Sequence, residues 1–237
     1  MRLYGKNPVI ERIRSNPGSI KKLCLQKQAE LSDVVREIKK AGLNFESLEK
    51  KEFKEICADI HAQGVFAEVE EFLYTGFDAM VKECLGERTV PVFLDGITDP
   101  QNLGSIIRTL ACLGGFSVVL PEHDSADITE TVLRVANGGE NYTKIAKVTN
   151  IATAIRSVKS LGIRVIGADM SGKDLSVPGS LPKGAMALVV GSEGKGIRPG
   201  VLSILDGTIR IPMEGAELSY NAAIAAAILC YEVKKQR

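Results

Sequence analysis

The sequence predicts an α/β protein of two units, a small mixed module followed by a larger doubly wound parallel sheet. Three observations carry this. The first is size with composition: 237 residues, 45% apolar and 25% charged, suit a compact globular chain with room for two cores. The second is order, because beyond residue 88 short apolar runs alternate with stretches of helical periodicity, as in βαβ units. The third is glycine, since residues 1–90 hold 6 of the 23 and residues 91–237 hold 17, which makes the second part rich in tight turns.

In the first part, Ile20 to Leu25 reads as a strand, Ala29 to Ala41 as a helix, and Gly64 to Val69 as another strand. Leu31, Val34, Val35 and Ile38 share one face of that helix. The charged stretch Phe72 to Arg88 has a helical pattern and suits a connector, which puts the boundary near residue 88. Val90 to Leu94 then reads as a buried strand, followed by a loop, a helix from about Asn102 to Leu113 and a strand from Phe116 to Leu120. Strands at Arg164 to Ala168, Ala185 to Val190 and Thr208 to Ile211 alternate with helices near Ile151 to Leu161 and Ser219 to Lys235. In such a sheet, ligands bind where loops leave the carboxyl ends of the strands.

Composition disfavours several function classes. The longest wholly apolar run, Ala222 to Cys230, is nine residues, well short of the roughly 18 that cross a bilayer. No signal-peptide layout precedes the first charged residues, so a cytoplasmic protein is the expectation. The five cysteines include no close pair, and His61 and His123 are the only histidines. Metal and acyl-transfer chemistry therefore rank low. Net charge is near zero, but residues 1–27 carry seven basic side chains against Glu11 alone. That basic face hints at a polyanionic partner, with a merely solvated surface as the equal alternative.

Three glycine-bearing loops each follow a predicted strand: Asp99 to Arg108, Val190 to Ile197, and Ile211 to Asn221. Glycines at 191, 194 and 196 fit neither the dinucleotide fingerprint nor the P-loop. Asn102 reads as an N-cap, with Arg108 projecting from the same end of the helix; the alternative is a plain cap and a surface cation. Glu193 sits among glycines that admit a ligand close to the backbone, or else is simply solvated in a turn. Ser219 reads as the N-cap of the last helix with Asn221 in its first turn, where a core-facing amide would need partners.

Taken in order, these loops resemble the three motifs of the SpoU (TrmH) family of RNA ribose methyltransferases, within the SPOUT superfamily. The first motif is carried by Asp99, Pro100, Asn102, Gly104 and Arg108. The second has Gly191, Glu193, Gly194 and Gly196, and the third Ile211, Pro212, Met213, Ser219 and Asn221. Gly5 to Glu11 and the run His61-Ala-Gln-Gly64-Val resemble the family's small substrate-binding module, related to ribosomal proteins. The resemblance implies an RNA substrate-binding module at 1–75, a connector at 76–88 and a methyltransferase domain at 89–237. It also implies a deep trefoil knot and a homodimer formed through the C-terminal domain.

By the same resemblance the cofactor is S-adenosyl-L-methionine, held by Gly191, Ile211, Met213 and Tyr220. The catalytic pocket is Asn102, Arg108, Glu193, Ser219 and Asn221, with Glu193 and Asn102 orienting Arg108. The implied reaction is in-line attack of a ribose 2′-hydroxyl on the sulfonium methyl. Arg108 is then the base, or a clamp on RNA phosphate, a role that suits a group that stays protonated. The expected substrate is a guanosine of large-subunit ribosomal RNA, with transfer RNA as the rival and a non-catalytic RNA-binding or ribosome-assembly factor as the alternative of another class. Neither membrane nor metal is expected. Two positions depart from the family pattern: Tyr220 stands where leucine is usual, and Ala136-Asn-Gly-Gly139-Glu replaces a Ser-x-Gly-Ala run.

Overall fold

The computed structural model describes residues 1–57, 62–215 and 218–236. His61, and positions 216–217 of the third loop, lie outside the described residues. The first part comprises β1 (Arg2–Tyr4), α1 (Lys6–Ser15), β2 (Ile20–Gln26), α2 (Ser32–Lys40), β3 (Glu46–Leu48), α3 (Lys50–Ile56) and β4 (Val65–Val69). Its four strands lie in the order β1-β4-β2-β3, with β4 antiparallel to both neighbours and β3 parallel to β2.

Alternation along β4 builds two faces. Val65, Ala67 and Val69 share a core cluster with Val9 and Ile13 of α1 and Val34 and Ile38 of α2, while Phe66 turns to Cys24 and Phe53. Helix α1 escapes the sequence reading because Lys6, Arg12 and Arg14 interrupt its Val9, Ile10, Ile13 stripe. Helix α2 begins three residues later than predicted, because Gln28 at φ 63° turns the chain and Leu31 lies outside the helical region. In the connector only α4 (Phe77–Leu85) is helical. Residues 72–76 form neither helix nor strand, and the Thr75 amide donates to the Ile145 carbonyl at 2.8 Å.

The second part comprises β5 (Val90–Asp95), α5 (Pro100–Leu113), β6 (Phe116–Pro121), α6 (Glu130–Ala136), β7 (Lys144–Val148), α7 (Ile151–Ser160), β8 (Arg164–Asp174), β9 (Met186–Gly191), α8 (Pro199–Leu202), β10 (Gly207–Arg210) and α9 (Ala222–Gln236). Its six strands are all parallel, in the order β10-β8-β9-β5-β6-β7. Every residue of β5 is buried, as expected of a strand covered on both faces. Val92 and Leu94 pack toward Leu103, Ile106 and Ile107 of α5 and Leu229 of α9, while Phe93 packs toward Met80 of α4 and Ile155 of α7.

Three elements here were not anticipated, among them α8, a single turn of four residues with no period to read. Strand β7 is short, and its polar Lys144 and Lys147 dilute the apolar signal. Helix α6 is only seven residues long, too short for its period to register. The chain runs β5, β6, β7 in one direction, then returns to the far side for β8 and β9, so the strand order reverses between β5 and β9. Their carboxyl ends, Asp95 and Gly191, are register partners, and that switch point is where an open parallel sheet opens a crevice.

Candidate active site

The first loop leaves β5 at Asp95, a fully buried carboxylate. Helix α5 begins at Pro100, and its N-cap is Asp99, whose side chain accepts from the Gln101 amide at 2.9 Å. Asn102 is thus not the cap but a first-turn residue, which frees its amide to reach across the crevice. Proline at the first helical position and an aspartate before it are the local reason α5 starts there.

The second loop folds back on itself. Ser192 and Gly196 exchange backbone hydrogen bonds of 3.2 and 2.9 Å, and Gly194 and Gly196 take φ of 75° and 64°, where glycine is the natural occupant. The loop is tied to β5 by Arg198, whose amide donates to Asp95 Oδ2 at 2.8 Å and whose Nε donates to Oδ1 at 2.7 Å. This buried carboxylate, with Oδ2 satisfied by the backbone amide and Oδ1 by the guanidinium of the same arginine, holds the first two loops in a fixed relation. Asp95 and Arg198 were not singled out in the sequence; the signal was an aspartate closing an otherwise apolar strand.

The third loop delivers Asn221, which is the N-cap of α9 in place of Ser219: its Oδ1 accepts from the Ala223 amide at 2.9 Å and the Ile224 amide at 3.3 Å. Its own amide donates to Asn102 Oδ1 at 2.9 Å and also to Glu193 Oε1. Asn102 donates to the same Glu193 Oε1 at 2.8 Å. One residue from each loop therefore meets in a single triangle, with the carboxylate as the shared acceptor.

Beside the triangle lies a cleft of about 280 Å³, close to the lower end of the range occupied by small-molecule sites. Gly191, Glu193, Ile211, Met213, Ser219 and Tyr220 line it, and Ala168, Asp169 and Met170 from β8 complete the wall. Ser219 has no hydrogen-bond partner among the described residues. Arg108 is exposed on α5 and, among the described residues, bonds neither Asn102 nor Glu193, so the expected orienting contact is not formed. No three His, Cys, Asp or Glu side chains among the described residues converge as a metal site requires, and no helix there is long and apolar enough to cross a membrane.

The family model described as the SpoU rRNA methylase family matches residues 89–231, and that for RNA 2′-O ribose methyltransferase substrate binding matches residues 2–75. The chain belongs to the SpoU rRNA methylase family. It is an RNA methyltransferase by that membership. A Bacillus subtilis protein assigned to the TrmH family of tRNA/rRNA methyltransferases is 34% identical over 99% of this chain and 95% of its own length. An uncharacterised tRNA/rRNA methyltransferase of Mycolicibacterium paratuberculosis is 31% identical over 99% of this chain and 77% of its own. Among solved structures, a TrmH-family protein from Porphyromonas gingivalis superposes with a TM-score of 0.78 at 25% identity, covering 100% of this chain and 90% of that one. The SpoU methyltransferase AviRb of Streptomyces viridochromogenes, crystallised with AdoMet, shares the fold with a TM-score of 0.77 at 24% identity, covering 100% of this chain and 90% of that one.

Proposed function

We propose that this SpoU-family chain transfers a methyl group from S-adenosyl-L-methionine to a ribose 2′-hydroxyl of structured RNA, a guanosine of large-subunit ribosomal RNA being the expected target. The observation that carries the reading is the triangle of Asn102, Glu193 and Asn221 standing beside the cleft lined by Gly191, Ile211, Met213, Ser219 and Tyr220. The cleft fits the cofactor chemically. Apolar Val190, Ile209, Ile211 and Met213 suit a flat purine, and the carboxylates of Asp169 and Glu193 suit a sulfonium. When bound, the cofactor supplies an electrophilic methyl group.

The chain's residues supply position and charge. Glu193, held by two amides, cannot swing away from the cleft, and Asn102 and Asn221 fix its place. Arg108 stands free of this triangle, which favours its role as a cation that meets the RNA, clamping phosphate or taking part in removal of the hydroxyl proton. Residues 1–75 are the RNA-binding module, 76–88 the connector and 89–237 the methyltransferase domain in this reading. The knot implied by the family resemblance, a homodimer through the C-terminal domain and a cytoplasmic site of action belong to the same proposal. Ile224 and Tyr231, seven residues apart on α9, are exposed along with Leu218, leaving apolar surface for a second copy to cover.

The test is incubation of the protein with labelled cofactor and ribosomal or transfer RNA, then digestion to nucleosides. Label in a 2′-O-methyl nucleoside supports the reading, and label on a base overturns it. RNA binding with no transfer would favour the non-catalytic factor.

A further inference from the structure

The seam between the two sheets holds a buried ion pair that methyl transfer itself does not use. Arg12 of α1 donates from Nη2 to Glu140 Oε1 at 3.2 Å, and the Glu140 side chain is fully buried. Asn141 Nδ2 donates to the same oxygen at 3.0 Å, and Arg12 Nη1 reaches Ser19 Oγ at 3.4 Å. Arg12 Nε and Glu140 Oε2 have no partner among the described residues. Desolvation raises the Glu140 carboxyl above its ordinary range. A buried pair so incompletely satisfied is a poor source of stability, so its value lies in the geometry that it fixes.

That geometry leads to Arg108. The turn carrying Glu140 is pressed on one side against α1, for a Cβ on Gly138 would lie 2.5 Å from that of Glu11. On its other side, a Cβ on Gly139 would lie 3.0 Å from the Arg108 Cα. Thr143 Oγ1 also donates to the Ile107 carbonyl at 3.4 Å. The turn is thus a wedge between the first module and the segment of α5 that presents Arg108.

We propose that Arg12 and Glu140 are positioning residues that lock the N-terminal module in one orientation against the wedge backing Arg108, so that RNA held by the module meets the cleft in register. The inference rests on the RNA methyl-transfer reading. Its test uses the full chain with Glu140→Gln and with the paired apolar replacement Arg12→Met/Glu140→Leu, which by size and burial should leave a stable protein. Both variants should bind cofactor within about twofold of the original chain while kcat/KM for RNA falls about tenfold or more, because misplacement of the substrate is penalised steeply. A purely structural pair predicts instead that a folded apolar variant turns over normally, and that result overturns the proposal. A readout independent of activity is cleavage after Glu70 and Glu71 by a glutamate-specific protease. Several-fold faster cutting in the variants supports the lock, and unchanged cutting in both sinks it. Failure of the unaltered chain to methylate any RNA defeats the functional reading, while the protease result still decides the lock.

Discussion

Gly191 closes β9 opposite Asp95, and an alanine there puts the architecture of the second loop to a quantitative test. Its Cβ would lie 2.1 Å from the Gly196 carbonyl carbon, 2.3 Å from the Ile197 nitrogen and 2.4 Å from the Gly196 oxygen. All three are backbone atoms, so no change of rotamer relieves the clash. Reaching an ordinary contact of 3.4 Å requires the Gly196 backbone to retreat by about 1.3 Å, the difference of 3.4 and 2.1. That movement strains the two hydrogen bonds between Ser192 and Gly196 and carries Glu193 out of the triangle. Overpacking costs about 1–3 kcal/mol and each weakened hydrogen bond up to about 1, so Gly191→Ala should lose about 2–4 kcal/mol. For a chain of this size that is a Tm decrease of roughly 5–15 °C by scanning calorimetry. Titration with S-adenosyl-L-methionine should show at least a tenfold loss of affinity, about 1.4 kcal/mol. Gly200→Ala, where a Cβ meets nothing within 4 Å, is the matched control and should stay within about 0.5 kcal/mol of the original chain. A Gly191→Ala protein with unshifted Tm and undiminished cofactor binding would refute the reasoning.

Other expectations are as direct. Arg108 is exposed and without a bonding partner among the described residues, so Arg108→Lys should leave stability within about 0.5 kcal/mol. Transfer to RNA should nonetheless fall by about 10²-fold; a near-normal rate would count against both the base and the clamp. Gly104→Ala would place a Cβ 2.6 Å from that of Val135, where α5 crosses α6, and should cost about 1–3 kcal/mol in urea unfolding despite alanine's better helix propensity. Hydrogen bonds from Arg14 and Lys40 hold the Glu37 carboxyl down to about 2, from the usual 4.5. Being depressed in the fold, it contributes stability that is complete above about pH 4.5 and lost as pH falls toward 2. Glu37→Gln should therefore shrink the difference between Tm at pH 6 and at pH 3, and an unaltered difference would contradict the assignment. Lys21 is exposed on β2, whereas its neighbour Lys22 is paired with Glu46. If this module grips phosphate, Lys21→Glu should weaken RNA binding and lower the salt slope by about 1, with cofactor binding unaffected.

The middle of the central sheet was legible because three of its strands are largely apolar runs bounded by glycine and charge: β5, β6 and β9 lie within a residue or two of their predicted bounds. The loops were legible as well, since glycine and proline mark where the chain must turn. What escaped was set by tertiary contact. The basic residues of α1 hide a helix whose apolar side is read only against the sheet, with Arg12 turned inward to meet Glu140 from far along the chain. The caps were misplaced for a related reason. Asn102 and Asn221 are both good capping residues by type, but Asp99 takes the first role and releases Asn102, while Asn221 takes the second in place of Ser219. Asp95 with Arg198 could not be paired by eye, because 103 positions separate them and nothing local links the two.

The most direct test of the account is a crystal structure of the chain grown with S-adenosyl-L-methionine. The ligand should lie in the cleft between β8, β9 and the 211–221 segment, against the backbone of Gly191, Ile211 and Tyr220, with its methyl group turned toward the side of Glu193. Electron density for it in the larger cavity bounded by Leu175, Lys183 and Glu232, with the cleft beside Glu193 empty, would contradict the claim that the three loops build one methyl-donor site.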